Sequence, residues 1–352
     1  MKKIEEISKS ITGLDYKLME KTKNRLDFLT KPQGSLGRLE ELAKLICGIT
    51  GKDNPELRNK VIFTLAADHG VTDEGISAFP KAVTAQMVYN FLNGGAGINV
   101  LARHTGIKVI VADLGVAEDL KPDPKLMVKK INYGTKNFAH GPAMTKEEAC
   151  KSIEAGINLF EEELVNGIDI IGTGDMGIGN TCASSAITSA ITGKTAEIVT
   201  GYGTGIDDAV LKNKINVINK ALSLNKPNPK DSIDVLSKVG GFEIGGLTGI
   251  ILAAASKKIP VVIDGFISGA AGLLAYNINS KVKDYLIAAH SSVEKGHKII
   301  LDYIGLKPLL NLDLRLGEGT GAALGINLAE ASIKILTQMA TFESAKVSER
   351  NE

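Results

Sequence analysis

Through the middle of the chain, short unbroken apolar runs alternate with longer stretches in which apolar residues recur three and four positions apart. The runs are Val61 to Ala67, Val109 to Ala112, Ile168 to Ile171, Ile198 to Thr200 and Val261 to Ile263, with Leu286 to Ala289 the weakest. A run without polar alternation reads as a strand covered on both faces, and strands separated by helices predict a parallel sheet with crossover connections. The most apolar stretches, Leu247 to Ser256 and Gly265 to Ile278, are interrupted by Gly and Ser and fall short of the ~20 residues a membrane span requires, so they read as buried helices.

The ends of the chain have another texture. Leu14 to Thr50 is helical and charged, broken at Lys31-Pro32-Gln33-Gly34, where Pro and Gly mark a turn. Ser35 is the expected cap of a helix carrying Leu36, Leu39, Leu42, Ala43 and Ile46. Near the carboxyl terminus Ala322, Ile326, Ala329, Ile333 and Leu336 share one helical face. The expected organisation is an α/β domain over 59–324, a parallel sheet flanked by helices, beside a small helical domain over 1–58 joined by 325–352.

The residues just past each apolar run are more informative than the run itself. Asp68-His69-Gly70, Asp113-Leu114-Gly115, Gly174-Asp175, Gly201 to Gly205, Asp264-Gly265 and His290 all fall at expected strand ends. Any one of them reads as an ordinary strand terminus or helix cap. Their repetition predicts a ligand site, because helix amino termini and loops converge at the carboxyl ends of a parallel sheet.

Composition narrows the ligand. With Lys+Arg 41 against Asp+Glu 40 the formal charge is +1, and Trp is absent, so the chain has no electrostatic surplus for nucleic acid. Cys47, Cys150 and Cys182 are far apart and odd in number, which argues against a disulfide framework or a paired-cysteine metal site. The amino terminus has no apolar core of a secretion signal, and the expected setting is cytoplasmic, without a membrane.

Several segments carry candidate chemistry. Gly172 to Thr181 matches G-x-G-x-x-G at Gly172, Gly174 and Gly177, yet no acidic residue follows a strand about twenty positions on, as a dinucleotide site requires. Its amides and hydroxyls suit an anion at a helix amino terminus. Gly201-Tyr202-Gly203-Thr204-Gly205, followed by Asp207-Asp208, Lys212 and Lys214, reads as a phosphate pocket without the P-loop pattern. Asp207-Asp208 lacks the preceding residues that a diphosphate-sugar transferase would show. The histidines, His69, His104, His140, His290 and His297, have no metal spacing, and no G-x-S-x-G elbow occurs; no metal and no cofactor are expected. Gly75 to Met87 is a loop leading into a helix, with Phe79 and Met87 as apolar walls and Gln86 as a polar edge. In Leu314 to Leu324, Glu318 stands between Gly317 and Gly319, with Thr320 as the expected cap of the helix after it.

Taken in order, KPQGSLGRLE, AADHGV, EGISAFPKAVTAQM, GTGDMGIGNT, GYGTGIDDAVLKNK, GGFEIGG, VVIDGFISGAA and LRLGEGTGAAL resemble the nicotinate-nucleotide:dimethylbenzimidazole phosphoribosyltransferase family over 26–338. The resemblance implies a Rossmann-like parallel sheet with a small helical domain, a homodimer, and transfer of phosphoribosyl from nicotinate mononucleotide to an aromatic base. That base is dimethylbenzimidazole or an analogue; adenine, another benzimidazole or a phenol stands as the alternative, as does a non-catalytic subunit of a heteromeric transferase. By motif, Glu318 falls at the family's general base, with Asp175 supporting it near the ribose. Gly174, Gly177, Gly179, Asn180 and Thr181 match ribose-phosphate contacts, as do Gly203, Thr204, Gly205 and Lys214. Ser77, Phe79, Gln86 and Leu316 fall in the base pocket. Asp175 stands where Glu is familiar, Tyr202 where a basic residue is common, and Ser291 where Arg is usual.

Overall fold

The computed structural model describes residues 1–348, so the last four positions of the expected 325–352 segment lie outside the described residues. The strands are β1 (Lys60–Ala67), β2 (Lys108–Gly115), β3 (Leu126–Val128), β4 (Ile170–Met176), β5 (Val261–Ile263) and β6 (Leu286–Ala288). They form one sheet in the order β3-β2-β1-β4-β5-β6, every neighbouring pair parallel. The chain winds outward from β1 to β3, then returns to place β4 on the other side of β1. This reversal opens a crevice at the carboxyl ends of β1 and β4, the switch point at which doubly wound sheets bind ligands.

The helices are α1 (Lys2–Ser10), α2 (Tyr16–Asp27), α3 (Arg38–Thr50), α4 (Val83–Leu92), α5 (Gly97–Thr105), α6 (Lys146–Leu164), α7 (Asn180–Thr192), α8 (Ala196–Val199), α9 (Asp208–Asn225), α10 (Ser232–Val239), α11 (Phe242–Ser256), α12 (Phe266–Ile278), α13 (Lys295–Ile304), α14 (Thr320–Gln338) and α15 (Phe342–Ala345). Alternate residues of β1 face two cores. Val61, Phe63, Leu65 and Ala67 join the core containing α6, α11 and α12, whereas Ile62 and Ala66 join that containing α3, α5 and α14. Helices α2 and α3 pack on each other and on α14, while α1 lies on the opposite face against α6 and α11. The apolar segments expected as buried helices are α11 and α12, and Ala322, Ile326, Ala329, Ile333 and Leu336 are all buried on α14. Among the described residues, no helix is long and apolar enough to cross a membrane.

Three local expectations are corrected, and one strand was not expected at all. Ile198 to Thr200 is not a strand; Ala196 to Val199 forms the single turn α8. The edge of β4 that it would have needed is taken by β5, which pairs Ile171 with Val261. The edge strand β3 escapes pattern reading because only three residues pair, in a segment rich in Lys and Asp. Ser35 lies in the turn before α3 and does not cap it; Gly37 holds that position. Finally, β4 starts later than expected and continues through Gly172 and Gly174, so these glycines are strand residues rather than loop residues. Their bareness lets α14 approach the sheet: a Cβ on Gly172 would lie 3.0 Å from Ala322 Cβ, and one on Gly174 2.2 Å from the Glu318 carbonyl oxygen.

Candidate active site

A cavity of about 490 Å³ opens at the carboxyl ends of β4, β5 and β6. The segment leaving β4 supplies Asp175, Met176, Gly177, Ile178, Asn180 and Thr181; Gly203 and Thr204 come from the glycine loop after α8. Gly265, Phe266 and Ile267 follow β5, and His290, Ser292 and Glu294 follow β6. Asp313 to Gly317 and Phe79 complete the wall.

Of the residues singled out from sequence, Phe79, Asp175, Gly177, Asn180, Thr181, Gly203, Thr204 and Leu316 therefore line one cavity. Gly179 precedes α7 with φ 96°, and Gly205 turns the glycine loop with φ 91°. Ser77 sits behind the rim: its hydroxyl is 3.4 Å from Thr204 Oγ1, which also accepts the Ala78 amide at 3.1 Å. Gln86 is exposed on α4, outside the cavity lining. Lys214 is buried below the glycine loop and donates to Thr181 Oγ1 at 2.8 Å. Burial pulls its pKa below the usual lysine value, opposed by the charges of Cys182 and Glu294. Glu294 fixes the same loop by accepting the Gly203 amide at 2.8 Å.

Glu318 lies just behind the wall formed by Leu316 and Gly317 and is itself absent from the lining. It is one of few non-glycine residues in the left-handed region, with φ 64°. Its Oε2 accepts the Ile98 amide at 3.0 Å, at the amino terminus of α5. Burial raises its pKa, and the amides of Ile98 and Gly97 oppose that rise. Thr320 is the first residue of α14 rather than its cap; its hydroxyl donates to the Gly317 carbonyl at 2.9 Å. The cap comes from the end of β5 instead, because Asp264 Oδ1 accepts the Ala322 amide at 3.0 Å and Oδ2 accepts the Gly319 amide at 3.3 Å. A cap contributed by a distant strand end has no local sequence signature.

The crevice is rich in buried carboxyls. Asp264 is pushed up to about 7 by burial, against the pull of its backbone donors. Asp175 is pushed well above the carboxylate range by burial and by the charges of Asp264 and Glu243, while Asn180 Nδ2 donates to its Oδ2 at 2.9 Å. His290 borders the cavity with Nε2 3.8 Å from Asp264 Oδ1, and burial lowers its pKa. His69 is fully buried, 2.7 Å from Glu243, and belongs to the core. Sequence reading passed over Ser292, Glu294 and Arg315. Arg315, exposed on the rim with Nη1 3.4 Å from the Gly203 carbonyl, is a lone cation in a turn that no periodicity marks. Among the described residues no group of His, Cys, Asp and Glu is arranged to hold a metal ion.

A doubly wound sheet with a cavity at the carboxyl ends of its strands, lined by a glycine loop with Arg315 on the rim and bordered by buried carboxyls, is the framework of an α/β enzyme acting on a small molecule. The phosphoribosyltransferase family model matches residues 11–347. A nicotinate-nucleotide–dimethylbenzimidazole phosphoribosyltransferase of Geobacter sulfurreducens is 57% identical over 345 residues, covering 98% of both chains. One of Chloroflexus aggregans is 55% identical, covering 97% of each. The crystal structure of CobT from Thermus thermophilus superimposes with TM-score 0.92 at 42% identity, over 95% of this chain and 100% of that one. The chain belongs to the nicotinate-nucleotide–dimethylbenzimidazole phosphoribosyltransferase family, and it is a phosphoribosyltransferase.

Proposed function

We propose that the enzyme transfers phosphoribosyl from nicotinate mononucleotide to 5,6-dimethylbenzimidazole, giving α-ribazole 5'-phosphate and nicotinate, with Glu318 as general base. The observation that carries this reading is full-length identity to relatives of that name, 57% in the Geobacter protein. The cavity supports it. Thr204 and Thr181, with Lys214 beneath and Arg315 on the rim, offer donors to the phosphate, beside the Gly203 turn whose amide Glu294 holds. Asp175 and Asn180 face the ribose, and the acceptor ring lies along Phe79 and Leu316, toward the amino end of α5 where Glu318 is held.

Nicotinate leaves from a pyridinium as an uncharged ring nitrogen, so its departure needs no general acid. The lone pair of one benzimidazole nitrogen forms the new bond to the anomeric carbon as the bond to nicotinate breaks. The other ring nitrogen then gives its proton to the Glu318 carboxylate, leaving a neutral riboside. General-base help of this kind is worth ~10²–10⁴ in rate, and a carboxylate nearby also favours the cationic sugar of the transition state. Attack opposite the leaving ring inverts the β-nucleotide to an α-riboside. The same proposal includes a homodimer and a small helical unit expected over 1–58 with 325–352, in which α2, α3 and α14 pack together while α1 lies on the opposite face of the sheet. Two experiments test its chemistry: Glu318→Gln loses most turnover while still binding nicotinate mononucleotide, and mass analysis of wild-type reactions with a panel of bases identifies dimethylbenzimidazole as acceptor. Near-normal turnover of the variant removes the base assignment, and preferential ribosylation of adenine or a phenol replaces the acceptor.

A further inference from the structure

Thr64 is the sole hydroxyl residue in the otherwise apolar interior of β1, between Phe63 and Leu65, and it is fully buried. A buried hydroxyl without a partner is costly, and the neighbouring strand carries one at Thr173, whereas Thr64 has a partner. Its Oγ1 donates to the Glu318 carbonyl at 2.9 Å. Across the ladder Thr64 pairs with Gly174, which has no side chain to keep that carbonyl away. The next amide, Gly319 N–H, is held by Asp264 at 3.3 Å. The peptide group after Glu318 is thus fixed from β1 and from the end of β5, and the turn keeps a φ of 64° that a glutamate rarely adopts.

We propose that Thr64 is a positioning residue for Glu318: its hydroxyl locks the Glu318 peptide in the left-handed turn, aiming the carboxylate at the amino end of α5. The inference rests on the reading of Glu318 as base and adds the device that preorganises it. Without the bond the turn relaxes toward ordinary φ and the carboxylate drifts from the Ile98 amide that helps keep it ionised. The titratable groups facing this turn are Asp175 from β4, Asp264 from the end of β5 and His290 from the end of β6, which packs on Gly321; α5 contributes only backbone amides. Neither carboxyl compensates for the lost donor, because burial keeps both protonated to higher pH than an ordinary carboxylate and neither bonds the Glu318 side chain.

The test uses a crossed pair of substitutions in the full-length enzyme. Thr64→Val keeps the shape and removes the hydroxyl; Thr64→Ser keeps the hydroxyl and removes the methyl. Thr64→Val is expected to lower kcat about 5- to 10-fold, the value of one buried hydrogen bond, with KM for nicotinate mononucleotide unchanged. The acid limb of its rate profile moves to higher pH, since Glu318 then protonates more readily. Thr64→Ser retains wild-type kcat and pH profile. Thr64→Ala, which introduces no clash, carries the same expectation as valine should that variant not fold. Wild-type kcat and pH profile in Thr64→Val, or equal losses in Val and Ser, overturns the proposal. An inactive Glu318→Gln beside a normal Thr64→Val removes this inference alone, whereas an active Glu318→Gln removes the base reading and this inference together.

Discussion

Replacing Asp264 by Asn probes the carboxyl that joins the sheet to the turn bearing Glu318. In the folded protein Asp264 is fully buried and titrates at about 7 instead of 3.8, raised by burial and partly restrained by the amides of Ala322, Gly321, Gly319 and Gly265. The sign comes from proton counts. Between the unfolded and folded values the folded chain holds a proton that the unfolded chain has released, so stability falls as pH rises through this interval and levels off above it. At 1.36 kcal/mol per unit the full fall is about 4 kcal/mol, a ceiling for a site coupled to Asp175. Asp264→Asn abolishes the titration but sets an amide donor against backbone donors, at a constant cost of about 1–3 kcal/mol. The variant is therefore expected to gain up to about 3 kcal/mol on wild type between pH 5 and pH 8 and to be the more stable of the two by pH 8. Urea unfolding followed by circular dichroism at pH 5, 6, 7 and 8 reads this difference directly. Parallel curves, with a gap constant to within ~0.5 kcal/mol, would refute the buried-acid account.

Two further expectations concern the ends of the site. Lys214→Ala removes the buried cation beneath Thr181 and is expected to raise KM for nicotinate mononucleotide about 10- to 100-fold with little change in kcat, read by initial-rate kinetics; an unchanged KM counts against the phosphate role. Gly174→Ala drives a Cβ to 2.2 Å from the Glu318 carbonyl, so about 1–3 kcal/mol of stability and most turnover should be lost; a fully active, equally stable variant would show that the turn can move freely.

Much of the site was legible because its signals are local. The run Val61 to Ala67 with Asp68-His69-Gly70 after it announces a buried strand and its exit, and β1 spans Lys60–Ala67. Thr204, Asn180 and Thr181 stand in short glycine-rich segments whose composition marks them, Leu316 came from the family resemblance, and all four border the cavity. Other features were not legible because they depend on what lies across the sheet. Ile198 has strand-like neighbours in sequence, but the vacant edge it needs is filled by Val261. Thr320 has the residue type of a cap, while the carboxylate that performs the task arrives from Asp264 at the end of β5. Gln86, placed in the base pocket by motif, is exposed on α4 outside the cavity lining, because the direction of a helical side chain is set by how the helix docks.

Periodicity and punctuation along the chain determined the parallel α/β class, the glycine loops and the single acid between Gly317 and Gly319, since each depends on residues a few positions apart. Tertiary structure alone decided the order β3-β2-β1-β4-β5-β6, and with it which loops meet at the switch point. It also decided that Thr64 on β1, Gly174 on β4 and Asp264 at the end of β5 together hold the backbone of Glu318. Contacts between residues so distant in the chain arise from packing of whole elements, and no local pattern encodes them.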